Sequence, residues 1–415
     1  MENGTAQETS AESIGDIVDG FIKHIRSLHD ALGLSMYTLN ELRERVQENY
    51  DEFKNEHTEP YDNADEKLLV ESSVLGRFRS IKRQLESATI SRRVVPQTFL
   101  VSLVSQYDAF LGSLISYILL SKPEILNSSD KKINFSQLSD FDSIDEARKY
   151  IVEKEVEDIL RDSHSDHFDW MEENFSVPLR KGLESWSDFI EVTQRRHLFV
   201  HADGNVSRQY ISVCKDHGVD LDDGICHGDQ LVVRPEYFNR AYQIIFEIGV
   251  KLSHVLWRKQ FSSERDNADD NLIHITYELL KLEEYSLAQE ILDFCTDTLP
   301  DYSSERSRRM FVVNRSIAYK FDGKEGVAES ILDDEDWSAT SGNFQLAEAV
   351  LRDEFQRAAH IMRQVGPDNE LIPRSAYKEW PLFRDFRESD EFLQAYEDVF
   401  GEPFTDSDTV EASVE

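Results

Sequence analysis

One apolar stripe constrains this chain more than any other feature. Leu100, Leu103, Val104, Tyr107, Leu111, Leu114 and Ile118 recur at intervals of three and four, the spacing that lines one face of an α-helix. Pro96 is expected to open this helix and Pro123 to close it, since proline does not extend a helix interior. Similar stripes flank it. Ile17, Phe21, Ile25, Leu28 and Leu32 predict helices between residues 14 and 56, and another is expected over 66–87. Residues 145–162 read as a charged amphipathic helix and 178–201 as a second core helix. Pro235 is well placed for the first turn of a long helix reaching Gln260. Gly (17) and Pro (10) are scarce among 415 residues. The expected fold class is therefore all-α, with at most a few short strands around 206–233: residues 206–213 and Gln230–Val233, either side of an Asp/Gly-rich loop.

A chain of this length exceeds what one hydrophobic core serves, so several domains are expected. Residues 1–13 are polar and read as disordered. Residues 14–88 read as a helical arm, 89–262 as the main helical domain, and 262–270 as a polar linker. Residues 405–415 read as an acidic, disordered tail. Between them, 268–404 carry a loose repeat. Ser286–Leu292 recurs as Gly326–Leu332 and again around Arg357–Met362, with Tyr277, Tyr285, Tyr319, Phe344 and Phe355 ahead of the small residues. This resembles tetratricopeptide-like helix pairs, which imply a groove for a protein partner.

Asp and Glu number 81 against 45 Lys and Arg, a formal charge of −36. That argues against a protein that coats nucleic acid, because such affinity comes from many Lys/Arg–phosphate contacts. A small, locally basic site remains compatible with it. Three cysteines, Cys214, Cys226 and Cys295, are too few for a disulfide scaffold and suit a reducing cytoplasm. The first fifteen residues lack the basic and apolar regions of a signal peptide. The run 109–120 is too short to cross a bilayer, so no membrane partner is expected.

Chemistry concentrates in Arg195-Arg196-His197-Leu198-Phe199-Val200-His201. His197 and His201 are four apart, on one helix face. Guanidinium binds phosphate through a planar fork of donors, and imidazole exchanges protons near neutral pH. Together they equip a site to cleave RNA through its own 2′-hydroxyl, without a carboxylate cluster of the kind Mg²⁺ sites use. Arg196 and His201 lie about 140° apart on an ideal helix. The arginine must bend over, the helix must end before His201, or a second copy must supply half the site. Asp108, at the edge of the long apolar stripe, is a candidate to orient Arg196 or a histidine. Arg195 reads as a surface charge or phosphate-orienting residue. His197 also suits packing, beside Leu183, Trp186, Ile190 and Thr193.

Arg196 to His201 resembles the R-x(4–6)-H signature of the HEPN superfamily, and within it the RiboL-PSP-type group. The first intervening residue there is often polar, as His197 is, and the rest apolar, as Leu198-Phe199-Val200 are. Ala202-Asp203-Gly204 resembles the turn that follows. The helix around Gln106–Leu111, with its acidic Asp108, is also similar. One departure is Ala202, where the family commonly has Asn. The resemblance covers roughly 90–260. It implies a helical bundle forming a homodimer with motif helices facing, and metal-independent endoribonuclease activity leaving a cyclic phosphate. Arg196, His201 and His197 would be catalytic, Asp108 and Arg195 supporting, with no cofactor or metal. Relatives of this kind serve as toxins or anti-phage effectors. Two other functions compete: a non-catalytic dimerising scaffold, and a nucleotide-binding regulator using the same pocket.

Two other patterns carry less. Cys214-x2-His217 with Cys226-His227 is a loose zinc spacing, awkward for a tetrahedral site. His164-x2-His167, among Asp162, Asp166 and Asp169, has the residue types to bind a metal but reads rather as an exposed polar loop.

Overall fold

The computed structural model describes residues 13–60, 68–128, 133–221, 224–299 and 301–405. Nearly all of the expected disordered start and acidic tail therefore falls outside the described residues. Among the described residues the fold is all-α apart from one antiparallel pair, β1 (Thr58–Pro60) with β2 (Leu68–Val70). The chain divides into two compact units, residues 1–256 and 257–415.

The first unit begins with α1 (Ile14–His57). Ser13 and Asp16 close a capping box at its start, satisfying amide donors that no earlier turn can serve. Next comes α2 (Leu75–Ser121), packed along α1. Pro96 does not open a helix, as the sequence suggested, but lies buried inside α2. Proline removes one backbone hydrogen bond, and the packing of α2 on α1 outweighs that loss. The sequence boundary at 88/89 thus falls within one continuous helix. The 3₁₀ turn Pro123–Ser128 follows the end of α2. Longer than expected, α2 is the one helix among the described residues with the length and apolarity to cross a membrane. Rather more than half of its apolar stretch is buried inside the protein.

The remaining helices of this unit are α3 (Phe135–Leu138), α4 (Ile144–Ile159), α5 (His164–Phe175), α6 (Trp186–His201), α7 (Arg208–Asp216) and α8 (Pro235–Gln260). Pro235 opens α8 as its sequence position suggested. At Gly249, α8 lies so close to α1 that a Cβ would overlap the Phe21 ring. Three expectations are corrected here. The core helix starts at Trp186 rather than 178. Glu172 accepts hydrogen bonds from the backbone amides of Leu179 (2.7 Å) and Arg180 (3.0 Å) and holds that stretch in turns. The segment 206–213 is no strand. Ser207 caps α7, which buries Tyr210 and Cys214, four apart, against Leu198, Val206 and Leu231. Residues 229–233 keep one isolated bridge, Asn205 to Gln230. The pair 164/167 sits on α5 and not in a loop.

The second unit consists of helix pairs: α9 (Arg265–Lys281) with α10 (Tyr285–Asp293), α11 (Glu305–Phe321) with α12 (Glu325–Asp333), and α13 (Gly342–Leu351) with α14 (Phe355–Val365). The three repeated sequence segments are α10, α12 and α14. Each pair turns through one left-handed residue, Glu283, Gly323 and Asp353. At each turn the next amide reaches back to the first helix: Glu284 to Leu279, Lys324 to Tyr319 and Glu354 to Ala349, all at 2.9 Å. Short α15 (Arg374–Glu379) and α16 (Asp390–Phe400) finish the unit over buried Tyr377, Phe383, Phe392 and Tyr396. The expected polar linker 262–270 is instead mostly the start of α9, because Asp269 is fully buried and paired with Arg258.

Candidate active site

Helix α6 is built to present different chemistry on different faces. Phe189, Ile190, Val192 and Leu198 are buried and anchor it. Arg196 leaves the helix toward α2, where its Nη2 donates to Asp108 Oδ2 at 3.3 Å. The other carboxylate oxygen of Asp108 accepts from His164 Nε2 at 2.9 Å. Three helices thus meet at one carboxylate. The surroundings are aromatic: Tyr107 and His164 both pack on Phe189, with ring centroids 5.2 and 5.8 Å away. A low-dielectric wall of this kind strengthens the charge interactions beside it. Burial, then the neighbouring Asp108 charge, pushes the Tyr107 phenol well above its usual range. Among the described residues the buried Arg196 Nε–H meets no acceptor, so the guanidinium retains unused donor capacity.

His197 and His201 occupy the exposed side of the same helix, their rings 4.5 Å apart. Burial, then His201 and Arg196, lowers the His197 pKa, which favours a neutral, proton-accepting imidazole. His197 is exposed and so is not part of the core stripe on which its spacing placed it. Helix α6 continues to His201, with Ala202 as its cap, so helix geometry keeps Arg196 and His201 about 140° apart. Of the predicted residues, Asp108 and Arg196 are brought together, His197 and His201 are brought together, and the two pairs face differently.

Arg195 belongs elsewhere. Its side chain is only 12 % exposed, and its Nε donates to Glu191 at 2.6 Å. The Tyr210 and Tyr237 hydroxyls donate to the same carboxylate, each at 2.6 Å, and the Arg195 guanidinium lies 3.9 Å from the Tyr237 ring centroid. Far from a surface charge, Arg195 helps lock α6 to α7 and α8. Beyond the helix, Gly204 adopts φ +80, and a Cβ there would meet the Phe199 ring at 2.8 Å and the Leu231 carbonyl at 3.0 Å.

Sequence reasoning misplaced His164 and His167, setting in an exposed loop a pair that lies on α5. A signal was available: Ser163 and Asp166 form a capping box, and His167, Phe168, Met171 and Phe175 lie buried on the helix it opens. His167 is 1 % exposed. Burial above all, then the nearby His164, pushes its pKa down to about 4. The zinc-like residues are dispersed. Cys214 is in the core, Cys226 is exposed, and His217 bonds the Val213 carbonyl and Ser165. Among the described residues no three His, Cys, Asp or Glu side chains gather as a metal site. Comparison with family models, with curated proteins and with solved structures finds no match for this chain.

Proposed function

We propose that this protein is a HEPN-type, metal-independent endoribonuclease acting through Arg196, His197 and His201. The observation that carries this is α6 itself. Its exposed edge holds two adjacent imidazoles, and its flank holds an arginine fixed by a carboxylate from another helix. In the reaction, the RNA 2′-oxygen attacks the adjacent phosphorus and gives its proton to an imidazole, His201. The P–O5′ bond breaks, the leaving 5′-oxygen takes a proton, and a 2′,3′-cyclic phosphate remains. Arg196 stabilises the doubly anionic phosphorane, since a guanidinium stays charged and can only donate. Asp108 and His164 hold that guanidinium in place. Because the two halves face differently on one helix, the reading includes a homodimer in which Arg196 of one copy serves with His201 of the other.

The test is incubation of the purified protein with a labelled RNA pool in EDTA. Cleavage is expected to persist without divalent metal. General acid–base groups contribute roughly 10²–10⁴-fold, and His201→Ala should lose about that much while folding and RNA affinity survive. Arg196→Lys keeps charge but loses the fork and should stay impaired. Wild-type cleavage by a folded His201→Ala protein rejects the mechanism.

For the second unit we propose a protein-partner surface. A cavity of about 620 Å³ lined by Arg306, Arg309, Asn343, Phe344, Asn369 and Leu371 among others supports it. Asn343 and Asn369 brace its wall by pairing with each other through their side-chain amides.

A further inference from the structure

Helix α2 carries the chain's charge in reverse. Between residues 75 and 95 it holds Arg77, Arg79, Lys82, Arg83, Arg92 and Arg93 against one acid, Glu86, in a protein where acids outnumber bases 81 to 45. Arginines elsewhere are mostly neutralised by a carboxylate, as Arg180, Arg308 and Arg352 are. Arg79 and Arg83 are exposed and have no ion-pair partner among the described residues. At ~100° per residue, Arg79, Lys82, Arg83 and Arg93 fall within about 100° of arc, and Asp108 shares that face. The stripe from Arg79 to Arg93 is about 21 Å long at ~1.5 Å per residue. Glu86 lies within it and sits 3.9 Å from Lys82. At its inner end Arg93 pairs with Asp203 at 3.6 Å, two residues beyond His201.

We infer that this face of α2 is the docking track for the phosphate backbone of a single RNA strand, which it delivers to the end of α6. The identity of the strand rests on the ribonuclease reading above. The charge arrangement argues for phosphates in a row. The cations are mainly guanidinium groups, whose forks match phosphate oxygens. They lie in a line: Arg79 and Arg83 have no ion-pair partner among the described residues, and Lys82 and Arg93 are held only by long contacts of 3.9 and 3.6 Å. The remaining acidic surface repels the strand, which confines it to the track.

The experiment uses the full-length chain with His201→Ala, so that substrate is not consumed, and a short fluorescent single-stranded RNA read by anisotropy across a salt series. Arg79→Glu/Arg83→Glu is expected to weaken binding by roughly tenfold or more. It should also reduce the magnitude of the log–log salt slope by about 1.4, since each single-strand phosphate contact contributes ~0.7. Lys149→Glu/Lys181→Glu makes the same charge change on exposed lysines off the track and should stay within about twofold, as expected of a control that touches no phosphate. Circular dichroism checks that all are folded. Equal affinity in the two double variants overturns the proposal, as does retention on phosphatidylserine vesicles by a protein indifferent to RNA. The two readings fail separately. RNA binding that follows the stripe, in a protein that never cleaves, supports the track and removes the nuclease. Cleavage that needs His201, with binding that ignores the stripe, overturns the track and leaves the nuclease standing.

Discussion

At the scale of residues, the electrostatics of the site have a measurable consequence in His167. Unfolded, its imidazole takes up a proton near pH 6.5; folded, it resists until about pH 4. Between those values the unfolded state binds more protons, so stability falls as pH falls through that window. The loss is on the order of 3 kcal/mol by pH 4 for this one group. His164, Asp108 and Asp162 are the charged or titratable groups acting on it. His167→Leu should flatten the decline of the urea midpoint between pH 7 and 4.5 relative to wild type. An unchanged slope would show that the acid sensitivity resides in other groups. Individual roles were unevenly legible in the sequence. The Asp108–Arg196 pair followed from an acid placed at the edge of an apolar stripe. Arg195 was misread because its partners, Glu191, Tyr210 and Tyr237, come from three helices, and sequence spacing reports only the Glu191 interaction, four residues away.

At the scale of elements, periodicity located α1, α6 and α8 and misjudged where several helices start. Pro96 was read as a boundary, although a proline is tolerated wherever packing on both sides exceeds one lost hydrogen bond. The supposed strand at 206–213 became α7 because Tyr210 and Cys214, four apart, reach the same cluster, a contact visible only once Leu198 and Leu231 are in place. The end of α6 is fixed more tightly. The amides of Ala202 and Gly204 both return to the Leu198 carbonyl, at 2.8 and 3.1 Å, and Gly204 has neither the backbone angles nor the space for a side chain. Gly204→Ala should destabilise the first unit by about 1–3 kcal/mol in urea titrations. A neutral effect would mean that Phe199 and residue 231 move aside freely.

At the scale of the whole molecule, the formal charge hides an internal asymmetry: an acidic chain with basic stretches in α2 and α11, of which the α11 cations are mostly paired with carboxylates. The all-α class was legible from scarce breakers and repeated stripes. The extent of α2 was not, since it depends on α1 being there to pack against. Assembly is testable at this scale. Light scattering at micromolar concentration should give twice the chain mass, because an isologous contact between two α6 edges would bring Arg196 and His201 together. A strict monomer would leave the site divided. One consequence of α2 is mechanical. Arg79 lies seventeen residues before Pro96, about 25 Å along the axis, and Asp108 lies twelve residues after it. Proline is where a long helix bends. With the Asp108 half held by Arg196 and His164, a bend of only 10° there swings Arg79 through roughly 4 Å. Helix α1 packs along that arm, Phe53 against Phe78, so the paired helices would swing together as one beam about Pro96.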